Sequence, residues 1–184
     1  MPDQQFFNKQ LRINFFGAPG RGKSNMASWI HSQLRFEHFN AELAQEWVKG
    51  WTLEHRPIQQ FDQIYIFGKQ HHIEYELLKA GVKNIVTDSP IWLSVFYAPH
   101  DLKRGIAELI REYEQDYPAL NILLLKDKDA IYEREGRYQN ESDAQELENK
   151  MIHFMIDVFG DSHKVFRFSQ KEEIRQAVLA TAIK

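Results

Sequence analysis

The sequence contains no cysteine, so disulfide bonds and thiolate metal ligands are excluded. It has no uninterrupted run of about 18 apolar residues, so no helix is expected to span a membrane. The first residues lack the basic segment and apolar stretch of a signal peptide, and none is expected. Together these absences favour a reducing, cytoplasmic location.

An excess of charge of one sign is also missing. The formal net charge is −3 over 184 residues, of which 27% are charged and 43% hydrophobic. This balance is typical of a globular protein and gives no general reason to expect nucleic-acid binding, although a local basic patch could still support it. The length fits a single domain over residues 1–184, with a small lid at about 127–142.

Short apolar segments alternate with amphipathic ones along the chain. Strands are predicted at residues 11–16, 40–45, 84–88, 120–125 and 165–168. Helices are predicted at 23–36, 62–80, 102–113, 142–159 and 171–183. Because strands and helices alternate, the sequence predicts an α/β fold in which helices cover both faces of a parallel sheet.

The clearest motif follows the first predicted strand. It has the pattern Gly-x-x-x-x-Gly-Lys-Ser and is called the phosphate loop below: Gly17, Ala18, Pro19, Gly20, Arg21, Gly22, Lys23 and Ser24. Its glycines let successive N–H groups turn toward phosphate oxygens, and the helix that follows adds its positive N-terminal end. Lys23 is expected to contact the β- and γ-phosphates of ATP, and the Ser24 hydroxyl to bind Mg²⁺. Arg21 could add a further cation, although this position of the motif is often merely exposed.

Three carboxylates are candidates for the chemistry at those phosphates. Asp88 ends a predicted strand, and ligands of open parallel sheets bind beyond the carboxyl ends of the strands. It is expected to hold Mg²⁺ through water or to take a proton from the phosphoryl acceptor; a helix cap is the alternative. Glu46, after the second predicted strand, is the preferred general base, with a surface glutamate as the alternative. Asp62 is a third candidate that better fits a helix cap.

Two arginines follow the most apolar predicted strand. Arg137 is next to Gly136, and Arg134 lies one helical turn earlier. Cations on a mobile segment can close over the transferred phosphoryl group, stabilise its charge and exclude water. The sequence therefore predicts a lid that carries both arginines; a solvated charged helix is the alternative.

Aromatic residues surround both carboxylate segments. Trp47, Trp51 and Trp92 could stack on a flat ring of the acceptor, and Lys49 could meet an acceptor phosphate. The alternative for the tryptophans is the hydrophobic core. No third ligand accompanies the adjacent His71 and His72, so no zinc site is expected.

Besides the phosphate loop, three segments carry a resemblance to a known family: Glu46-x-x-Lys49, Thr87-Asp88-Ser89-Pro90 and Tyr132-x-x-x-Gly136-Arg137-x-Gln139. With them the chain resembles, over residues 11–170, small phage-encoded P-loop kinases related to nicotinamide-riboside and deoxynucleoside kinases. Within that group it is most similar to kinases that phosphorylate 5-hydroxymethyluracil in phage DNA.

The resemblance implies a P-loop kinase fold with about five parallel strands in the order 2-3-1-4-5, a mobile lid, and the use of ATP and Mg²⁺. It assigns Lys23 and Ser24 to phosphate and metal, Asp88 to the acidic position at a strand end, and Arg137 to the lid. It also implies modified DNA as the acceptor and, for a phage protein, the host cytoplasm as the location. A kinase of a free nucleoside, nucleotide or nicotinamide riboside remains an alternative, as does an ATPase without a dedicated acceptor.

Overall fold

The computed structural model describes residues 10–127 and 141–184. Its strands are β1 (Leu11–Phe16), β2 (Ala41–Ala44), β3 (Asn84–Thr87), β4 (Ala119–Leu125) and β5 (His163–Arg167). They form one parallel sheet in the order β2-β3-β1-β4-β5. The predicted α/β class and the strand order 2-3-1-4-5 are therefore confirmed.

The helices are α1 (Lys23–Phe36), α2 (Lys49–Leu53), α3 (Gln63–Lys79), α4 (Trp92–Tyr97), α5 (His100–Glu114), α6 (Glu141–Phe159) and α7 (Lys171–Leu179). Single turns of 3₁₀ helix add Gln60–Asp62 and Gly160–Ser162. The sequence did not predict α2 and α4, because helices of 5 and 6 residues are too short to show a helical period. Among the described helices, none is long and apolar enough to cross a bilayer.

The core lies on both faces of the sheet, and β1 is therefore buried along its whole length. Ile13 and Phe15 pack on the side of α1 and α7, whereas Phe16 packs on the side of α4, α5 and α6. Successive side chains of a strand point to opposite faces, so a strand covered by helices on both sides reads as a nearly continuous apolar run. Burial of each such side chain contributes roughly 1.5–3 kcal/mol to folding.

A buried charge cluster lies beside β1, near its N-terminal end. Arg12 is 1% exposed, and its Nη2 donates to Glu114 Oε1 at 2.8 Å and to the Tyr117 carbonyl at 2.9 Å. Its Nη1 lies 3.6 Å from Oε2 of the fully buried Glu74. Burial, opposed by Arg12 and reinforced by Glu114, raises the pKa of Glu74 to about 7. This cluster lies at the opposite end of β1 from the phosphate loop.

Candidate active site

The phosphate loop joins β1 to α1 through glycines with left-handed backbone angles. Gly22, which precedes the first residue of α1, has φ 79°, and Gly17 has φ 149°. A Cβ added at Gly22 would lie 2.5 Å from Cδ2 of Phe168, and one at Gly17 would lie 2.7 Å from the Leu124 carbonyl oxygen. Both positions therefore require glycine, for the backbone angle and for the close approach of the neighbouring chain.

The N-terminus of α1 is suited to an anion. Its first turn contains no acidic residue, and no side chain caps it. The N–H groups of this turn and the positive end of the helix dipole therefore suit phosphate oxygens. Lys23 Nζ donates to the Gly17 carbonyl at 2.9 Å and to the Ala18 carbonyl at 3.3 Å, which keeps its charge over the loop.

Arg21 differs from the expectation that this position is merely exposed. It is 4% exposed, and its Nε donates to Glu148 Oε2 on α6 at 2.6 Å. The same carboxylate oxygen accepts the N–H of Lys126, just after β4, at 2.9 Å. Arg21 therefore ties the phosphate loop to two other elements, because a buried charge needs a partner of opposite sign.

Glu46 and Asp88 are brought together at the carboxyl ends of neighbouring strands. Thr87, the last residue of β3, pairs with Ala44 of β2 and with Asn14 of β1, so the chain after each strand leaves from the same edge as the phosphate loop. The N–H of Glu46 donates to Oδ1 of the buried Asp88 at 3.1 Å. The sequence could place each carboxylate at a strand end, but not the hydrogen bond between their segments.

Electrostatics connect Glu46 to the phosphate loop. Burial raises the pKa of its carboxyl group; Lys23 lowers it, Asp88 raises it further, and Lys49 lowers it. Lys49 is the exposed first residue of α2. Glu46 therefore faces one cation of the loop and one cation near the surface.

Ser24 and Asp88 fit the magnesium ion that such a loop implies. Mg²⁺ prefers oxygen ligands and is commonly held by one or two protein groups together with phosphates and water. Ser24 offers a half-buried hydroxyl, and Oδ2 of Asp88 makes no hydrogen bond to a described residue. Within residues 10–127 and 141–184, no three His, Asp or Glu side chains form a cage for a metal, and a Mg²⁺ that keeps its water and phosphate ligands needs none.

A cavity of about 520 Å³, called the acceptor cavity below, adjoins the carboxylates. Its walls come from Glu46, from α2, from the connection between α2 and α3, from α3, and from residues 89–97. Its size suits a molecule of nucleoside dimensions. Tyr97 lines it, and burial, with a smaller effect of Glu46, raises the pKa of Tyr97 to about 12, so that its hydroxyl remains a donor.

The three tryptophans do not line this cavity, which corrects the prediction that their rings hold the acceptor. Trp92 is 2% exposed, donates from Nε1 to Glu114 Oε2 at 2.8 Å, and packs in the core. Trp47 and Trp51 pack edge to face with ring centroids 5.1 Å apart. In sequence they are next to Val48 and Thr52, which do line the cavity.

Most of the residues that line the cavity were not predicted, among them Gln63, Gln70 and Ser94. Ser94 and Tyr97 lie on α4, and Gln63 begins α3. No motif marks them, since their common location depends on how the connection between α2 and α3 folds over the end of the sheet. Arg134 and Arg137 lie outside the described residues, as does nearly all of the predicted lid.

Comparison with known proteins supports the same fold. A family model described as an AAA domain matches residues 12–165. A search of curated protein sequences gave no match.

Solved structures with this fold were found at low sequence identity. The NadR protein in complex with NR has a TM-score of 0.71 at 12% identity, over 95% of this chain and 52% of that one. A NadR complex with NAD and AMP-PNP has a TM-score of 0.68 at 13% identity, over 95% and 50%. The Mycobacterium tuberculosis APS kinase CysC in complex with AMPPNP and APS has a TM-score of 0.54 at 11% identity, over 94% and 96%. This chain thus spans about half the length of the NadR proteins.

Proposed function

The chain belongs to the family described as an AAA domain, and from this premise and the geometry of the site we propose that it is a kinase. It transfers the γ-phosphoryl group of ATP to a hydroxyl group of an acceptor held in the acceptor cavity. The observation that carries this proposal is the cavity of about 520 Å³ with Glu46 in its wall, close enough to the phosphate loop for Lys23 to act on that carboxylate. Water as acceptor would need no such cavity, which argues against a simple ATPase.

The phosphate loop holds the nucleotide in this proposal. Its N–H groups and Lys23 bind the β- and γ-phosphates. Ser24 and Asp88 would hold Mg²⁺, which would offset negative charge on those phosphates. The APS kinase and NadR structures contain AMPPNP on the same fold, which supports ATP as the donor.

Glu46 is the proposed general base. Its carboxylate accepts the proton of the acceptor hydroxyl while the new oxygen–phosphorus bond forms and the bond from the γ-phosphorus to the β,γ-bridging oxygen breaks, so that ADP leaves. The hydrogen bond from the Glu46 N–H to the Asp88 carboxylate holds the two segments that carry these carboxylates together. Arg137 and Arg134, proposed from the sequence, supply the cations that close over the transferred group.

For the acceptor, we propose the hydroxymethyl group of 5-hydroxymethyluracil in phage DNA. Support comes from the sequence resemblance and from a basic, aromatic surface beside the cavity. Arg56 lies over the Trp51 ring at 3.5 Å, and Lys69 lies 5.4 Å from the centroid of Tyr65. Cations next to aromatic rings suit a nucleic-acid strand from which a base is extruded.

A free nucleoside or nicotinamide riboside is the second candidate acceptor. The fold similarity to NadR in complex with NR favours it, and the cavity volume accommodates such a molecule. Transfer to a free nucleoside would use the same catalytic groups. The two candidate acceptors therefore differ only in the part of the acceptor that lies outside the cavity.

The experiment is transfer of labelled γ-phosphate from ATP to a panel of acceptors. The panel holds single-stranded and duplex DNA with 5-hydroxymethyluracil, unmodified DNA, free deoxynucleosides and nicotinamide riboside. Label on the modified DNA alone is expected, and Lys23→Ala should abolish it. Label on a free nucleoside instead would contradict the DNA acceptor and leave the kinase standing.

A further inference from the structure

Gln63 is a largely buried residue whose carboxamide opens into the acceptor cavity. It is 6% exposed and lines the acceptor cavity, yet its carboxamide makes no hydrogen bond to any residue that the structure describes. Its carboxamide atoms are not among the buried side-chain atoms that lack a hydrogen bond, so they remain accessible from the cavity, where water or a ligand can be the partner.

A second glutamine of the same helix provides a contrast. Gln70, two turns along α3, is 2% exposed and also lines the cavity. Its Oε1 accepts the N–H of Trp47 at 3.1 Å, and its Nε2 donates to Thr87 Oγ1 at 3.5 Å. Of these two carboxamides, that of Gln70 is hydrogen-bonded to the protein, whereas that of Gln63 is available to an occupant of the cavity.

The other polar groups of the cavity are mostly neutral. Ser89 and Ser94 are 7% and 3% exposed, and their hydroxyls also lack a hydrogen bond to the described residues. Among the described residues that line the cavity, none is a lysine or an arginine, and Glu46 is the one with a carboxylate. A phosphate or sulfate group inside would have no cation in that lining, so the enclosed part of the acceptor carries no negative charge.

We propose that Gln63 determines the acceptor specificity of this site by reading an uncharged heterocycle with adjoining N–H and C=O groups. A carboxamide offers an oxygen that accepts from the N–H and an amino group that donates to the C=O, and these two bonds together select that edge. The imide edge of a pyrimidine base has this pattern. The inference rests on the proposed kinase function, because it names what the acceptor presents to the same cavity.

The test compares two acceptors that differ only at N3: 5-hydroxymethyl-2′-deoxyuridine in single-stranded DNA and its N3-methyl analogue, which has a methyl group in place of the N–H hydrogen. The wild-type protein is expected to transfer phosphate to the first with a kcat/KM at least about 100-fold higher, because a site built to hydrogen-bond a group rejects an analogue without it. Gln63→Leu should lower kcat/KM for the first acceptor and lose this preference. Its KM for ATP should stay unchanged and its melting temperature should not fall, since the Gln63 carboxamide makes no hydrogen bond to a described residue that leucine would lose.

Gln115→Leu is the matched control, because Gln115 is exposed just beyond α5 and does not line the cavity. It should keep the wild-type preference. A Gln63→Leu variant that still discriminates between the two acceptors would overturn this inference and leave the kinase proposal intact. Preferred transfer to adenosine 5′-phosphosulfate would also overturn it. A wild-type protein that binds ATP and transfers phosphate to no acceptor would overturn both proposals.

Discussion

Glu46 occupies a position where burial and Asp88 oppose its ionisation while Lys23 and Lys49 favour it. The net effect raises the pKa of the carboxyl group above its ordinary value of 4.5. A general base must be ionised to accept a proton, so activity at the site depends on this balance of charges. The pH dependence of the reaction therefore originates in this one carboxyl group.

The first prediction concerns the fall of kcat/KM at low pH, which is called the acid limb of its pH profile. This limb should lie above the ordinary carboxylate range in the wild-type protein, because Glu46 loses its proton only when pH exceeds the raised pKa. Lys49→Met removes a charge that lowers this pKa, so the limb should move to higher pH. Glu46→Gln should lower kcat by roughly 10²–10⁴ and remove the limb.

Lys103→Met is the control for Lys49, because Lys103 is an exposed lysine of α5 outside the cavity lining. It should leave the acid limb unchanged. An acid limb that persists in Glu46→Gln would contradict the assignment of Glu46 as the base.

The second prediction concerns stability, at the buried charge cluster. The folded-state pKa of Glu74 is about 7, above its ordinary value of 4.5, so the folded protein binds this proton more tightly than the unfolded chain. The stability from this proton is fully present below the ordinary value and is lost as pH rises to about 7. Glu74→Gln should remove that loss, as urea unfolding at about pH 5 and about pH 8 would measure.

Glu76 lies on the same helix but is exposed, so Glu76→Gln should retain the wild-type loss of stability with pH. Arg12 keeps its bond to Glu114 in Glu74→Gln, so the variant is expected to fold. A Glu74→Gln protein whose stability falls with pH as steeply as the wild type would contradict the raised pKa.

Single residues were predictable from the sequence where a motif fixes their chemistry. Lys23 and Ser24 belong to a pattern whose spacing is set by the phosphates themselves. Trp92 has no such constraint, and its hydrogen bond to Glu114 in the core depends on the packing of α5. The role of Gln63 was likewise not predictable from the sequence, because its place in the cavity wall depends on the fold.

At the scale of elements, the turn from β1 into α1 depends on glycine for two separable reasons. Gly22 and Gly81 have nearly the same backbone angle, φ 79° and φ 82°. A Cβ on Gly81 would meet nothing within 4 Å, whereas one on Gly22 would lie 2.5 Å from Phe168. The pair therefore separates the cost of the angle from the cost of the contact.

The third prediction uses this pair. Gly81→Ala should destabilise the protein by about 1–2 kcal/mol, the cost of a left-handed angle for a residue with a Cβ. Gly22→Ala should cost more and should also weaken ATP binding, because Phe168 or the loop must shift. Urea unfolding and ATP titration would measure both effects. Equal costs and unchanged ATP affinity would contradict the close contact.

The fourth prediction concerns the connection between the phosphate loop and α6. Arg21→Ala leaves the buried Glu148 without its charged partner, so it should destabilise the protein by about 3 kcal/mol. The KM for ATP should rise, since the loop loses a contact that fixes it. Unfolding and ATP-dependent kinetics would measure the two effects.

The control is an ion pair of similar length on the surface, Arg104 with Glu108 at 2.8 Å. Arg104→Ala should change neither stability nor the KM for ATP appreciably, because water screens exposed pairs. Equal effects of Arg21→Ala and Arg104→Ala would show that burial of the Arg21 pair does not matter.

Long helices and strands could be predicted because their apolar residues recur over several helical turns or along the whole strand. The helix 23–36 and the strand 11–16 have the same bounds in the structure as in the prediction. The last helix was predicted to residue 183 but ends at Leu179, and α2 and α4 were missed. Short helices and helix ends depend on tertiary contacts more than on local periodicity.

At the scale of the whole molecule, the sheet order brings the site together. β3 lies between β2 and β1, so residues after β2 and β3 emerge beside the phosphate loop after β1. The alternation of strands and helices predicts such a sheet, and ligands bind at its carboxyl edge. The acceptor cavity was not predictable, because its wall comes from the irregular connection between α2 and α3.

The central claim, that the protein is a kinase with a dedicated acceptor, is tested most directly by following the γ-phosphate of labelled ATP. The wild-type protein is incubated with single-stranded DNA that contains 5-hydroxymethyluracil, and label on the DNA is separated from free inorganic phosphate. We expect label on the DNA hydroxymethyl group, and its loss in Lys23→Ala. Release of label only as inorganic phosphate, with this DNA and with free nucleosides alike, would contradict the claim and identify an ATPase.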